Sequence, residues 1–205
     1  MKTSKTALTL AVLAAAFLAP QLRAEDAQPN EAELMAKMAE LGQPNENHQQ
    51  LAQLAGNWTD EIKMWMAPGQ PPLVSTGTCT RKPIMDGRFY EGEFKSVMSM
   101  PGPDGKMQSM PFTGASLEGY DNAKKKFIST WADSMGTGIM MSEGTYDPAT
   151  KTFTYTAEMQ MLPGMTRKVR EVVKVIDQDH HTFEFYEDRG GRETKTMEIA
   201  YTRAK

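Results

Sequence analysis

The chain has 205 residues and a formal net charge of -3. That length suits one domain with a real core, and the acidic excess disfavours nucleic acid and anionic membrane surfaces as general partners. Cys79 is the single cysteine, which excludes an intramolecular disulfide, so stability must rest on packing.

Residues 1–24 read as a secretory signal peptide. Lys2 and Lys5 give a basic start, an apolar run fills 7–19, Pro20 breaks any helix, and Ala24 is a small residue at the cleavage point. The apolar run is shorter than the roughly 20 residues a membrane-spanning helix needs. No cysteine lies near the cleavage point to carry a lipid, and no later segment is apolar enough to span. A periplasmic or secreted protein is therefore expected. Loss of Lys2, Lys5 and Arg23 would leave 20 basic against 26 acidic residues, a charge of -6.

A helical segment is expected over 25–55. Asn30 can cap a helix running to Leu41, with Glu31 and Glu33 in its first turn and Gly42 as the stop. A second short helix is predicted over 46–54, with Leu51, Leu54 and Ala55 on one edge. From Gly56 the apolar period changes from 3.6 to 2. Trp58, Ile62, Met64 and Met66 alternate with Thr59, Glu61 and Lys63. Strand-like runs follow at 73–82 and 89–97, around an Asp86-Gly87 pair typical of a type I′ turn. Residues 98–110 contain Pro101, Gly102, Pro103, Asp104 and Gly105, which predicts a loop or long hairpin tip.

Further strands are predicted at 112–120, 127–134, 139–146, 153–161, 167–176, 182–187 and 193–202. The clearest is 153–161, where Phe153, Tyr155, Ala157, Met159 and Met161 share one face and Thr and Glu the other. The spacing Tyr-Asp-x-Ala-x-Lys-x-Phe occurs twice, at Tyr120–Phe127 and Tyr146–Phe153, and predicts two equivalent turns. About ten strands with short turns and no intervening helix imply an antiparallel meander. Closure into an up-and-down β-barrel over 56–205 removes its exposed edges. A sandwich is the alternative. Pro83 requires a bulge or an edge.

Leu54-Ala55-Gly56-Asn57-Trp58 is similar to the opening of lipocalin-like (calycin) barrels, in which the Trp plugs one end. The chain more fully resembles a bacterial family known as domain of unknown function 1579. The resembling segments are 54–58, Met85-Asp86-Gly87-Arg88-Phe89, 117–121, 129–138, 142–147 and the closing Met197-Glu198-Ile199-Ala200-Tyr201. The family brings no established activity with it. The barrel is also similar to nitrobindin-like haem-binding barrels, but His48, His180 and His181 are not placed as clear axial ligands, so neither haem nor another cofactor is expected.

Three Met-x-Met pairs, Met64/Met66, Met98/Met100 and Met159/Met161, put two thioethers on one face of a strand. Thioethers fill irregular apolar space and also bind Cu(I). Packing is the main expectation, no metal site is assigned, and Met98/Met100 with Met107/Met110 are the better copper candidates. Cys79 is expected to be buried and inert, and Lys124-Lys125-Lys126 to be a solvated turn. Asp60, Asp133, Glu143 and Glu171 fall in phase with apolar neighbours. Carboxylates on inward faces are costly unless paired. They imply a local bulge that flips the phase, ion pairs with Arg81, Arg88 or Arg170, or a polar, wet or ligand-binding interior. No nucleophile elbow, phosphate loop, dinucleotide fingerprint or His-rich metal spacing is present.

The leading expectation is an exported, non-enzymatic barrel holding a small, partly apolar or amphipathic molecule. Trp131, Asp133, Met141, Glu143, Tyr155, Met159 and Glu171 are the expected lining. The alternatives are an envelope interaction module that docks through the helix at 30–41, and an acid–base enzyme using Asp133 and Glu143.

Overall fold

Alternation of apolar and polar residues, strand after strand, gives this chain one buried and one wet sheet face. The computed structural model describes residues 30–205; the expected leader lies outside them. Two units divide between Lys37 and Met38. The first contributes the start of α1 (Glu31–Leu41). Asn30 caps it: its Oδ1 accepts from the Glu33 N–H at 3.0 Å, and Glu33 Oε2 accepts from the Asn30 N–H at 3.1 Å. This reciprocal pair satisfies two otherwise orphaned donors. No residue of α1 is buried.

The second unit carries α2 (Glu46–Ala52) and the strands β1 (Gly56–Met64), β2 (Leu73–Ile84), β3 (Phe89–Pro101), β4 (Met107–Asp121) and β5 (Lys126–Asp133). They continue as β6 (Met140–Asp147), β7 (Thr152–Leu162), β8 (Met165–Val175), β9 (His180–Asp188) and β10 (Glu193–Arg203). Every neighbouring pair is antiparallel, and β10 returns to β1 to close a barrel. Closure excludes the sandwich. Pro83 pairs with Tyr90 on one side only, because β1 begins at Gly56 opposite Arg81. The proline thus sits at a local edge inside a closed sheet.

Of the two alternatives for residues 98–110, the long hairpin is the one found: β3 and β4 stay paired out to Pro101 and Met107. The Pro-Gly-Pro-Asp-Gly run occupies only the tip. The turn at Asp86-Gly87 does use left-handed backbone, but Met85 adopts it too (φ 50°), so Ile84 pairs with Phe89 across a four-residue connection. The repeated motif holds. Asp121 Oδ1 accepts from Ala123 N–H and Asp147 Oδ1 from Ala149 N–H, each at 2.9 Å. Lys125 and Lys151 occupy the same left-handed position, with φ of 54° and 53°.

One end of the barrel is plugged. Leu51 and Leu54 pack there against Tyr90, Phe127, Phe153, Tyr155, Val173 and Val175. Fully burying each such large apolar side chain stabilises the fold by about 2 kcal/mol. Asn122 Nδ2 ties the preceding turn down by donating to the Leu41 and Gln43 carbonyls. Trp58, 1% exposed, closes the floor beside this cluster, and its Nε1–H donates to the Leu54 carbonyl at 3.0 Å. The Arg203 guanidinium lies 4.0 Å over the indole and donates to the Ala55 carbonyl. A Cβ on Gly56 would stand 2.2 Å from Arg203 Nη1, and its φ of +131° already demands glycine.

Candidate functional site

The interior runs from this dry end through a polar layer to an open mouth. The layer is built by residues in phase with the core on six strands: Asp60, Arg81, Ser116 and Glu118, Ser142, Glu171 and His181, all under 9% exposed. Arg81 is its centre. Its Nη2 stands 3.4 Å from Glu118 Oε1, and its Nη1 donates to His181 Nε2 at 3.2 Å. Its guanidinium also faces the rings of Phe94 and Tyr201, at 5.4 and 5.8 Å. Burial opposes the charge on Arg81, but Glu118 and the surrounding acidic groups raise its pKa overall. His181 stays neutral: burial, then Arg81 and Arg203, push its pKa down to about 2. Its ring stacks on Tyr201 at 4.3 Å.

Glu171 lies opposite Tyr155 in the β7–β8 ladder, and the Ser142 hydroxyl donates to its Oε1 at 3.0 Å. Burial raises its pKa to about 7 against the lowering effect of Ser142, and nearby Glu118 adds to the rise. Burial likewise pushes Asp60 up to about 6. Asp60 Oδ1, Arg81 Nε and His181 Nδ1 are buried polar atoms with no partner. Unsatisfied groups of this kind cost about 1–3 kcal/mol each when nothing answers them. Cys79 is buried here too, its thiol raised to about 11 by burial, which makes it a poor nucleophile or ligand.

Above the layer the inward side chains become half-exposed: Phe94, Phe112, Trp131, Asp133, Met140 and Met159. Water therefore enters from this end, whereas Phe127 and Phe153 at the other end are 2% and 0% exposed. Trp131 is the main wall of the mouth. Its ring meets Phe94 edge-on at 4.9 Å, stacks with Phe112 at 6.4 Å, and donates through Nε1–H to Asp133 Oδ2 at 2.8 Å. It has room because Gly114, inward on the next strand, carries no side chain; a Cβ there would lie 2.4 Å from the indole. On β8, Arg167 stands opposite Met159 and contacts Glu187 at 2.5 Å, and Arg189 contacts the same carboxylate at 3.2 Å.

The family model described as a protein of unknown function, DUF1579, matches residues 43–203. The chain belongs to the DUF1579 family. No curated protein matches its sequence. Among solved structures, the DUF1579 barrel is similar to Rv2717c from M. tuberculosis, with a TM-score of 0.56 and 12% identity over 80% of this chain and 100% of the other. At that identity the likeness concerns the fold alone. A redesigned β-barrel also matches, with a TM-score of 0.35 and 15% identity over 76% of this chain and 96% of its own.

Of the seven residues expected to line the interior, Trp131, Asp133, Tyr155, Met159 and Glu171 do face inward. Met141 and Glu143 do not. Met141 is 60% exposed, and Glu143 pairs with Lys124 on the outer wall at 2.7 Å. The β5–β6 register sets Ser142 opposite Ser129 and Gly144 opposite Phe127, which turns Ser142 and Gly144 inward. Gly144 leaves space for Tyr155, whose Cδ1 would stand 2.6 Å from a Cβ there. Asp133 and Glu143 therefore lie on opposite sides of the wall and cannot share one substrate as acid and base. Glu118, Ser142 and His181 were not marked as interior residues by the sequence pattern. The signal for Glu118 was its phase with Ser116 and Tyr120.

Proposed function

We propose that this DUF1579 barrel is an exported binding protein, not an enzyme, that takes a small amphipathic molecule into the open half of its interior. The apolar body lies against Trp131, Phe112 and Met159, and the polar group meets Asp133 and the layer of Arg81, Glu118 and Glu171. The observation that carries this reading is the change along the barrel axis from a dry aromatic plug, through a polar layer with unanswered donors and acceptors, to a half-exposed aromatic and thioether mouth. Binding pockets combine such an apolar lining with a few placed polar groups. The proposal of export rests on the leader pattern at 1–24; N-terminal sequencing of the protein from the periplasm or medium should begin near Glu25. Among the described residues no helix is long and apolar enough to cross a membrane.

A thermal-shift screen with fatty acids, isoprenoids, aromatic acids and haem tests the binding. A ligand at a hundred times its Kd adds about 2.7 kcal/mol, which raises Tm by roughly 5–10 °C for a domain of this size. One chemical class should give that shift, and Trp131→Ala should abolish it at the variant's own baseline. Absence of any shift across the screen, with nothing bound in native mass spectrometry, would overturn the reading.

A further inference from the structure

At the rim of the mouth, the Met98/Met100 pair meets one further methionine, Met64. Met64 on β1 and both Met98 and Met100 on β3 line one small pocket with Leu73, Val74 and Ser75 of the intervening β2 and Ser99 of β3. All three methionines lie on the inward phase of their strands and are neither buried nor fully exposed. Met110, half-buried, stands directly opposite Met98 in the β3–β4 ladder. The pocket's free volume is about 10 Å³. That is close to the room of a single water molecule, so it suits one small ion and no organic ligand.

We propose that Met64, Met98 and Met100 form a three-thioether site for a soft monovalent cation, Cu(I) or Ag(I). Soft thioether sulfur selects Cu(I) over divalent ions, which prefer imidazole and carboxylate ligands. Among the described residues no group of three His, Cys, Asp or Glu is placed to hold a metal, so the thioether set has no harder competitor at hand. Cys79 is no alternative, being 1% exposed with a raised thiol pKa. In a loop, Met98 and Met100 would have no fixed partner; on a strand they share a face, and β2, paired with both β1 and β3, brings Met64 to the same pocket. Thioethers carry no proton to displace, so binding here should not depend on pH, unlike binding to His or Cys. This site stands apart from the ligand reading above: one can fail without the other.

The test is anaerobic titration of the whole protein with Cu(I) against a colorimetric Cu(I) chelator, at pH 5 and pH 7.5. Redox-inert Ag(I) is followed in parallel by NMR of the methionine ε-methyl groups. One Cu(I) per chain is expected, with equal affinity at both pH values and shifts confined to Met64, Met98, Met100 and their neighbour Met110. The apolar near-isostere set M64L/M98L/M100L should lose the binding, whereas M159L/M161L should keep it. Should the triple variant fold poorly, M98L alone should weaken Cu(I) binding by about tenfold or more, and the methyl map on the unaltered protein is independent of any variant. No competition with the chelator, affinity that falls at pH 5, methyl shifts spread over all methionines, or full binding by the Leu variants would each overturn the site.

Discussion

Replacing Glu171 by Gln should flatten the pH dependence of this barrel's stability between pH 4.5 and 7. The carboxyl is 5% exposed and accepts from Ser142, and burial raises its pKa from an ordinary 4.5 to about 7. Below pH 4.5 it is protonated in both folded and unfolded chains and costs nothing. As pH rises from 4.5 to 7, the unfolded chain ionises while the folded one resists. Stability fully present at low pH is thus lost, by about 3 kcal/mol across the window at 1.36 kcal/mol per pH unit. Glutamine keeps the shape and an acceptor for Ser142 but cannot ionise. Urea unfolding at half-unit steps from pH 4 to 8.5 reads the effect. The difference between Glu171→Gln and the parent should be smallest near pH 4 and should move in the variant's favour by about 2–3 kcal/mol by pH 8. Exposed carboxylates act equally on both proteins and cancel. Asp60, raised to about 6, is examined separately with Asp60→Asn. A constant difference at every pH would refute the burial argument for Glu171.

Arg81→Met should destabilise the fold by about 3–5 kcal/mol, because it strips the buried Glu118 of its cation; the double variant R81M/E118L should recover most of that loss in the same urea assay, and a single-variant loss under 1 kcal/mol would contradict the pairing. Lys125→Gly and Lys151→Gly should each raise Tm, since both relieve left-handed backbone at equivalent turns. A gain of about 0.5–1 kcal/mol apiece is expected, read by calorimetry, and opposite signs at the two sites would deny their equivalence.

Strand number and closure were legible because short turns and alternation repeat so regularly, with Phe153 to Met161 the plainest case. Asp60, Asp133 and Glu171 were legible as inward because apolar neighbours two residues away fixed their phase. β6 misled for the opposite reason. Its outward face carries Met141 and its inward face carries Ser142 and Gly144, which are small because Tyr155 and Glu171 need the space. Hydrophobic pattern cannot see a residue chosen for what it leaves empty. The same limit hid His181, which falls just outside the predicted strand at 182–187 but is held at 1% exposure against Trp58 and Tyr201. The rim site was half visible: the Met-x-Met spacing stood in the sequence, but the pocket that the β1 methionine shares with the β3 methionines across β2 exists only once the sheet forms.

Nine of the ten interfaces in this barrel join strands consecutive in sequence, and hairpins of that kind can zip from local contacts. The tenth pairs Thr59 with Thr202 and must draw in the chain between them. Closing a loop of that length costs about 4 kcal/mol beyond the constant term, so this seam should form late in folding. Until it forms, β1 and β10 are both open edges that another chain could join. The contacts that fasten it are the ones at the floor: Arg203 lying over Trp58, its reach past the bare Gly56 to the Ala55 carbonyl, and the Ala204 N–H bonded to the Asn57 carbonyl. The Gly56–Trp58 segment, beside the plug at one end of the barrel, is therefore also the clasp that shuts its side, and only when it closes are the two open edges withdrawn from neighbouring chains.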